Sequence, residues 1–525
     1  MSRIRSRRPS LGLLALLSLA VPSLAHASSG LDSPDAGVVQ VGRGGAWVAR
    51  AEDPLAAYMN PAAMSFQASG IHLGAHLMVG GACFTRIDEG AEPISPGNNI
   101  PGPGDPNGPE AETCTTSVFP NPQLAGVIRI TPELALGLAV VAPHAVGNVE
   151  WPESVEFELA GNLRTQPAPN RYLLTQQQSI LLFPTASISY AVIPDELSIG
   201  AGFTWGIAHA DFTTFTESTS SAPEDDFTRD VKANLVADDF FIPGFVVGVN
   251  WRASKRFDFG AWYKFSDAIR ARTKLTLESN YWLAGGTQNE NPCTPADPDC
   301  NKTVDDDAGS LEFNIPMEAK IGGRYHHPLP GDAAGSPFDG RRYPEWAKRE
   351  GYVRDPLSED RFDVEADFTW ANNSAVDVIA IQFDPGIKVK GTPGEVPVNG
   401  DIAHRWKDVL GVRVGGEVTI LPNFLAARLG GFFEGKGQRD EDLTLDFHMG
   451  YKAGLSLGGT VRLGPVDMHL AYGHVFYGTL DNLGQGTQRA LSGDATTNYR
   501  SQQIVNGGSF SSSLDEVALG ATLRF

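Results

Sequence analysis

The sequence predicts an all-β transmembrane barrel of about 14 antiparallel strands, with an N-terminal segment plugging its lumen. Three observations carry this: an export signal, repeated runs of period-two alternation, and connections that are by turns short and long.

Export comes first. Arg3, Arg5, Arg7 and Arg8 precede the apolar stretch 11–24, and Ala25-His26-Ala27 follows it. A basic start, a short apolar core and an A-x-A site make a secretory signal over residues 1–27. Cleavage there removes four arginines and no acid, taking the net charge of the 525-residue chain from −21 to −25. That acidity argues against nucleic-acid binding, which needs clustered Lys and Arg. No run of roughly 20 apolar residues marks a membrane helix.

Residues 28–69 are rich in Gly, Ala and Pro and lack alternation, so they are assigned to the plug. From residue 70 onward the chain alternates. In 361–370, Phe362, Val364, Ala366, Phe368 and Trp370 interleave with Arg361, Asp363, Glu365, Asp367 and Thr369. The run ending at Phe525 places Val517, Leu519, Ala521 and Leu523 on one face. One apolar and one polar face describes a strand between lipid and lumen, although a sandwich strand alternates too. Fourteen runs are counted: 70–84, 119–130, 134–150, 172–192, 197–212, 231–252, 257–276, 310–325, 361–372, 404–420, 424–434, 446–463, 466–477 and 515–525.

The connections separate the two architectures. Short turns fall at 131–133, 193–196, 254–256, 421–423 and 464–465, and long polar loops at 86–118, 151–170, 213–230, 277–309, 373–403, 435–445 and 478–514. This asymmetry is that of periplasmic turns and extracellular loops. Residues 326–360 break the rule, as a periplasmic insertion or as a miscounted strand. Cys83 with Cys114, and Cys293 with Cys300, bracket segments of the long set, so both pairs are disulfide candidates in an exported chain.

Other motifs carry no chemistry here. Gly454-Leu455-Ser456-Leu457-Gly458 matches G-x-S-x-G, but it lies inside a strand rather than at a strand-to-helix turn. His326-His327 reads as part of a solvated insertion, and Asp297, Asp299 and Asp305–Asp307 as an acidic loop without calcium-loop spacing. No catalytic residue, metal site or cofactor is assigned.

The most specific signal precedes the first strand: Gly42-Arg43-Gly44-Gly45-Ala46, Glu52-Asp53-Pro54 and Asn60-Pro61-Ala62-Ala63-Met64. This order resembles the N-terminal hatch of the FadL/TodX family, outer-membrane channels for long-chain fatty acids and other hydrophobic compounds. Phe183-Pro184-Thr185-Ala186 and Trp406-Lys407-Asp408 are similar to later strand pieces of the family. The resemblance implies a hydrophobic ligand caught at the outer loops and held against a hatch, with Asn60, Pro61 and Ala62 as the gate motif. It also implies sideways release through the wall at the third strand. There Pro143 removes a ladder donor, so Ala142, Pro143, His144 and Gly147 are the lateral-gate candidates, unless Pro143 only marks the strand's outer end. Asn60-Pro61 also reads as a plain turn. The chain is expected to be monomeric, in contact with outer-membrane lipid and not with nucleic acid. A non-transport barrel acting as an adhesin or structural protein through its loops is the alternative.

Overall fold

In the computed structural model, which describes residues 37–87, 111–143, 147–159, 161–218, 227–329, 353–493, 498 and 500–525, the alternating runs close on themselves. Fourteen spanning strands form one antiparallel barrel. They are β1 (Gly70–Arg86), β2 (Ala111–Arg129), β3 (Leu134–Val141 with Gly147–Glu150), β4 (Gln176–Ile193), β5 (Leu197–Glu217), β6 (Asp230–Arg252) and β7 (Phe257–Ser266 with Ile269–Glu278). Then come β8 (Lys302–Phe313 with Glu318–Pro328), β9 (Asp360–Ala371 with Val378–Phe383), β10 (Val409–Leu421), β11 (Leu425–Glu434), β12 (Lys452–Leu463), β13 (Val466–Tyr477) and β14 (Gly508–Arg524). Each pairs with the next, and β14 pairs with β1 from Gly70↔Arg524 to Arg86↔Gly508. Closure gives every strand a partner on both sides, so no edge strand is left in hydrocarbon, which would not tolerate one.

Facing follows the pleat. Leu138, Leu429 and Leu455 are 67%, 69% and 66% exposed, pointing to lipid, while their neighbours Gly137, Arg428 and Gly454 turn inward. The short turns share the end that holds Gly70 and Arg524, the periplasmic end. Asp195, Asn423 and Gly464 have φ of 62°, 60° and 65°, as tight hairpin turns require.

Three expectations need correction. The sheet runs further outward than the loop boundaries suggested: the β1–β2 ladder continues to Arg86↔Ala111, so Cys83 and Cys114 are register partners inside strands. Their sulfurs are bonded at 2.05 Å, and those of Cys293 and Cys300 at 2.15 Å within an outer loop. Polar residues above the lipid hide a strand from hydrophobic patterning, yet ladder bonds need only backbone. Likewise Asp305–Asp307 stand on the exposed outer part of β8, with Asp307 and Asp306 paired to Arg272 and Lys274.

His326 is not solvated. It sits inside β8, buried, with Nδ1 2.7 Å from Asp360. The connection is therefore 329–359, a periplasmic insertion between β8 and β9, and the count of fourteen stands. Residues 1–27, expected to be the signal, residues 28–36 of the expected plug, His144 and residues 330–352 of the connection lie outside the described residues.

Candidate functional site

Inside the barrel, residues 37–69 fold as a short helix, Val38–Val41, and two 3-10 turns, Pro54–Ala57 and Pro61–Phe66. Proline opens both 3-10 turns, where its missing N–H costs nothing, and the Asp53 side chain caps Leu55 N at 2.9 Å. Glycines of the wall make room for this segment. A Cβ on Gly430 would come within 2.0 Å of the Arg43 carbonyl carbon, and one on Gly200 within 2.4 Å of Ala62 N. Asn60 lies against Gly248 and donates to Val48 O at 3.0 Å, while Ala62 O accepts from Ser189 and Ser198 at 2.8 and 2.6 Å. The Asn-Pro-Ala block is thus docked on β4–β6.

The opposite side is held by charge. Asp363, Glu365 and Asp367, successive inward residues of β9, face the segment. Asp367 accepts from Trp47 N and Val48 N at 2.9 and 3.2 Å, and Glu365 from Ala49 N at 2.6 Å. Arg43 reaches Asp363 at 2.7 Å, and Arg50 binds Asp363, Glu52 (2.6 Å) and Glu417 (2.7 Å). Backbone donors and two guanidiniums therefore engage carboxylates that sequence patterning marked only as a polar face.

On the β2–β4 side the packing is apolar: Leu55, Ala57 and Met64 meet Ala135, Ala139 and Phe183. Directly above, β3 breaks. Val141 pairs with Phe183 and Gly147 with Ser179, so six positions of β3 span four of β4. The β2–β3 ladder runs from Arg129↔Ala135 to Leu124↔Val140 and does not resume beside Gly147–Glu150 among the described residues. Asn121 Nδ2 of β2 holds the displaced Ala142 O at 2.9 Å. Ala142 and Pro143 are buried at the break, and Gly147 (φ 76°) leaves room for the Phe119 ring.

Above the break, on the outer side, lies a cavity of about 180 Å³ walled by Phe119, Trp151, Phe447, His448, Tyr477 and Phe510. Sequence reasoning missed it, because its rings come from strands and loops far apart in the chain. Burial pushes the His448 pKa down to about 4, leaving the ring neutral; its Nε2 donates to Gly478 O at 2.9 Å. The loop beside it is pinned by His404 Nε2 on Asp446 at 2.9 Å. Burial opposes both charges, but the partner's charge prevails: His404 is raised above its ordinary value and Asp446 held below its own.

The sign of the pH dependence follows. The His404 contribution is complete below the ordinary imidazole value, near 6.5, and is lost as pH rises through the raised folded value. The Asp446 contribution holds above about 3.9 and is lost as pH falls through its depressed value. Trp406 packs edge-on against His404 at 5.0 Å. Its fluorescence should titrate with a midpoint above about 6.5, and the transition should vanish in His404→Gln. A midpoint at or below the ordinary value would contradict the pairing.

Cys83, Glu112 and Cys114 lie within metal-ligand distance of one another, but the two sulfurs are bonded to each other. Ser456, at the centre of the G-x-S-x-G match, is buried within β12.

A family model described as outer membrane protein transport protein (OMPP1/FadL/TodX) matches residues 20–328. Among solved structures, a Pseudomonas aeruginosa FadL homologue is similar at a TM-score of 0.63 and 16% identity, over 96% of this chain and all of that one. The Pseudomonas putida toluene transporter TodX gives 0.55 and 14%, over 95% and 100%. The Ralstonia pickettii toluene transporter TbuX gives 0.52 and 13%, over 94% and 99%. No curated protein sequence matches the chain.

Proposed function

The chain belongs to the OMPP1/FadL/TodX family of outer-membrane transport proteins, and from that membership we propose a passive channel for long-chain fatty acids or other hydrophobic small molecules. The outer cavity receives the ligand, residues 28–69 act as the hatch that stops it, and the break at 142–147 is its lateral exit into the membrane. The single observation that carries this reading is the register break in β3, immediately between the apolar hatch contacts and the ringed cavity.

The driving force is elementary. A hydrophobic ligand leaving through the wall re-enters hydrocarbon and avoids water, at about 0.8 kcal/mol per CH₂. An axial route would instead carry it past the buried carboxylates and guanidiniums of the β9 side. Small and aromatic walls with few charges suit ligands of this class.

The test is uptake of labelled oleate and labelled toluene, as separate probes, by cells carrying the full chain. Ala82 lines the cavity, so Ala82→Phe should fill it and lower uptake of the accepted probe by about tenfold, the equivalent of 1.4 kcal/mol. Entry of oleate alone, or of toluene alone, assigns the ligand class. Entry of neither would overturn transport and leave a barrel that works through its loops.

A further inference from the structure

We infer that residues 353–359, where the connection between β8 and β9 returns to the barrel, are a periplasmic latch that seals the lower mouth and pins the luminal segment from below. The observation is where Arg354 and Asp355 go. Both belong to a connection on the periplasmic side, yet each is only 1% exposed.

Arg354 holds the luminal segment. Its backbone N donates to Phe66 O at 2.7 Å, and its Nη1 donates to Ala49 O at 2.6 Å and to Arg50 O. Nη2 reaches the wall, at Asn250 Oδ1 (3.2 Å) and Asp258 (3.5 Å). One residue thus ties three backbone carbonyls of the luminal segment, two through its side chain and one through its amide, to β6 and β7. Guanidinium geometry suits this fan of acceptors, which an ammonium would not span.

Asp355 holds the other wall. It takes a two-pronged pair of bonds from Arg462 of β12, each 2.8 Å, and lies 3.4 Å from Arg524 of β14. Such bidentate carboxylate–guanidinium pairs are the stronger kind. The neighbouring helix Pro356–Glu359 then caps the mouth. Leu357 O accepts from Asn423 N in the β10–β11 turn at 3.0 Å, and Leu329 N bonds Glu359 O at 2.8 Å, closing the base of the connection. Between this cap and the luminal segment lies a cavity of about 10 Å³, room for no more than one water.

The latch spans β6, β7, β12 and β14, strands on different sides of the barrel. A solute moving down the axis meets it after the luminal segment. The arrangement leaves the wall as the route that needs no bond broken at the mouth. The inference does not depend on which hydrophobe is carried.

The test is ion conductance of the full-length protein in planar bilayers, which reads the axial path without any hydrophobic cargo. Folding is verified first by heat-modifiable gel mobility. The wild-type protein should conduct little, and Arg354→Ala with Asp355→Ala should raise conductance by about tenfold or more, because breaking buried pairs leaves charges that draw in water. Asp355→Asn, which preserves shape, should give an intermediate rise and keeps the proposal testable if the double variant does not fold. Wild-type conductance in a folded variant of either kind overturns it. Lost oleate and toluene uptake in the wild type, with conductance still latch-dependent, would overturn only the transport reading.

Discussion

Deleting Ala142 and Pro143 should reduce hydrophobe uptake to the level of cells lacking the protein, with the barrel still folded. The argument is one of register. Six positions of β3 oppose four of β4 between Val141↔Phe183 and Gly147↔Ser179, so β3 carries two residues in excess. Removing two lets the ladder run straight through. Because the excess is even, Gly147–Glu150 keep their faces, and no lipid-facing side chain is forced into the lumen. The deletion also removes the Ala142 carbonyl that Asn121 holds at 2.9 Å, and with it the bond that fixes the bulged backbone. Pro143→Val is the milder change: it restores a ladder donor but leaves the excess residues, and uptake should fall only in part. Uptake of labelled oleate and toluene, alongside heat-modifiable mobility, decides it. Full uptake by the deletion variant would rule out an exit at this place.

Arg50→Ala should be the most destabilising single change in the luminal segment, by about 3–5 kcal/mol, the usual cost of leaving buried charges without their partner. Its guanidinium bonds Glu52, Asp363 and Glu417, all buried. Asp363 keeps Arg43 at 2.7 Å and Arg324 at 3.1 Å, but among the described residues Glu417 retains only Arg428 as an ion-pair partner. A lowered urea midpoint in refolding from detergent or lipid is the measurement. The comparison is Arg272→Ala, which removes exposed, solvent-screened pairs to Asp307 and Asp384 and should leave the midpoint nearly unchanged. Equal effects from the two would mean that the buried cluster is not what holds the segment.

Much of this was legible in the residues. Period two along Phe362–Trp370 located β9 within two residues of its observed start, and fourteen runs became fourteen strands because hydrocarbon selects one face of every strand. The outer strand ends were not legible. Beyond the lipid nothing selects an apolar face, so the reach of β2 to Ala111, and the registry of Cys83 with Cys114, left no pattern to read. His326 reads as solvated because Asp360 is 34 positions away in sequence and joins it only when β8 pairs with β9.

The sequence by itself determined the barrel and the number of its strands. Each depends on local composition or on a period that repeats along the chain. Only the tertiary structure decided what fills the space inside: that Asp363, Glu365 and Asp367 clamp Arg43, Arg50 and three backbone amides, that rings from distant strands and loops enclose one cavity, and that Arg354 and Asp355 return from the periplasm into the mouth. The reason is that a buried charge or an aromatic wall is defined by its partners. Barrel closure alone brings those partners together, across hundreds of residues that share no local pattern.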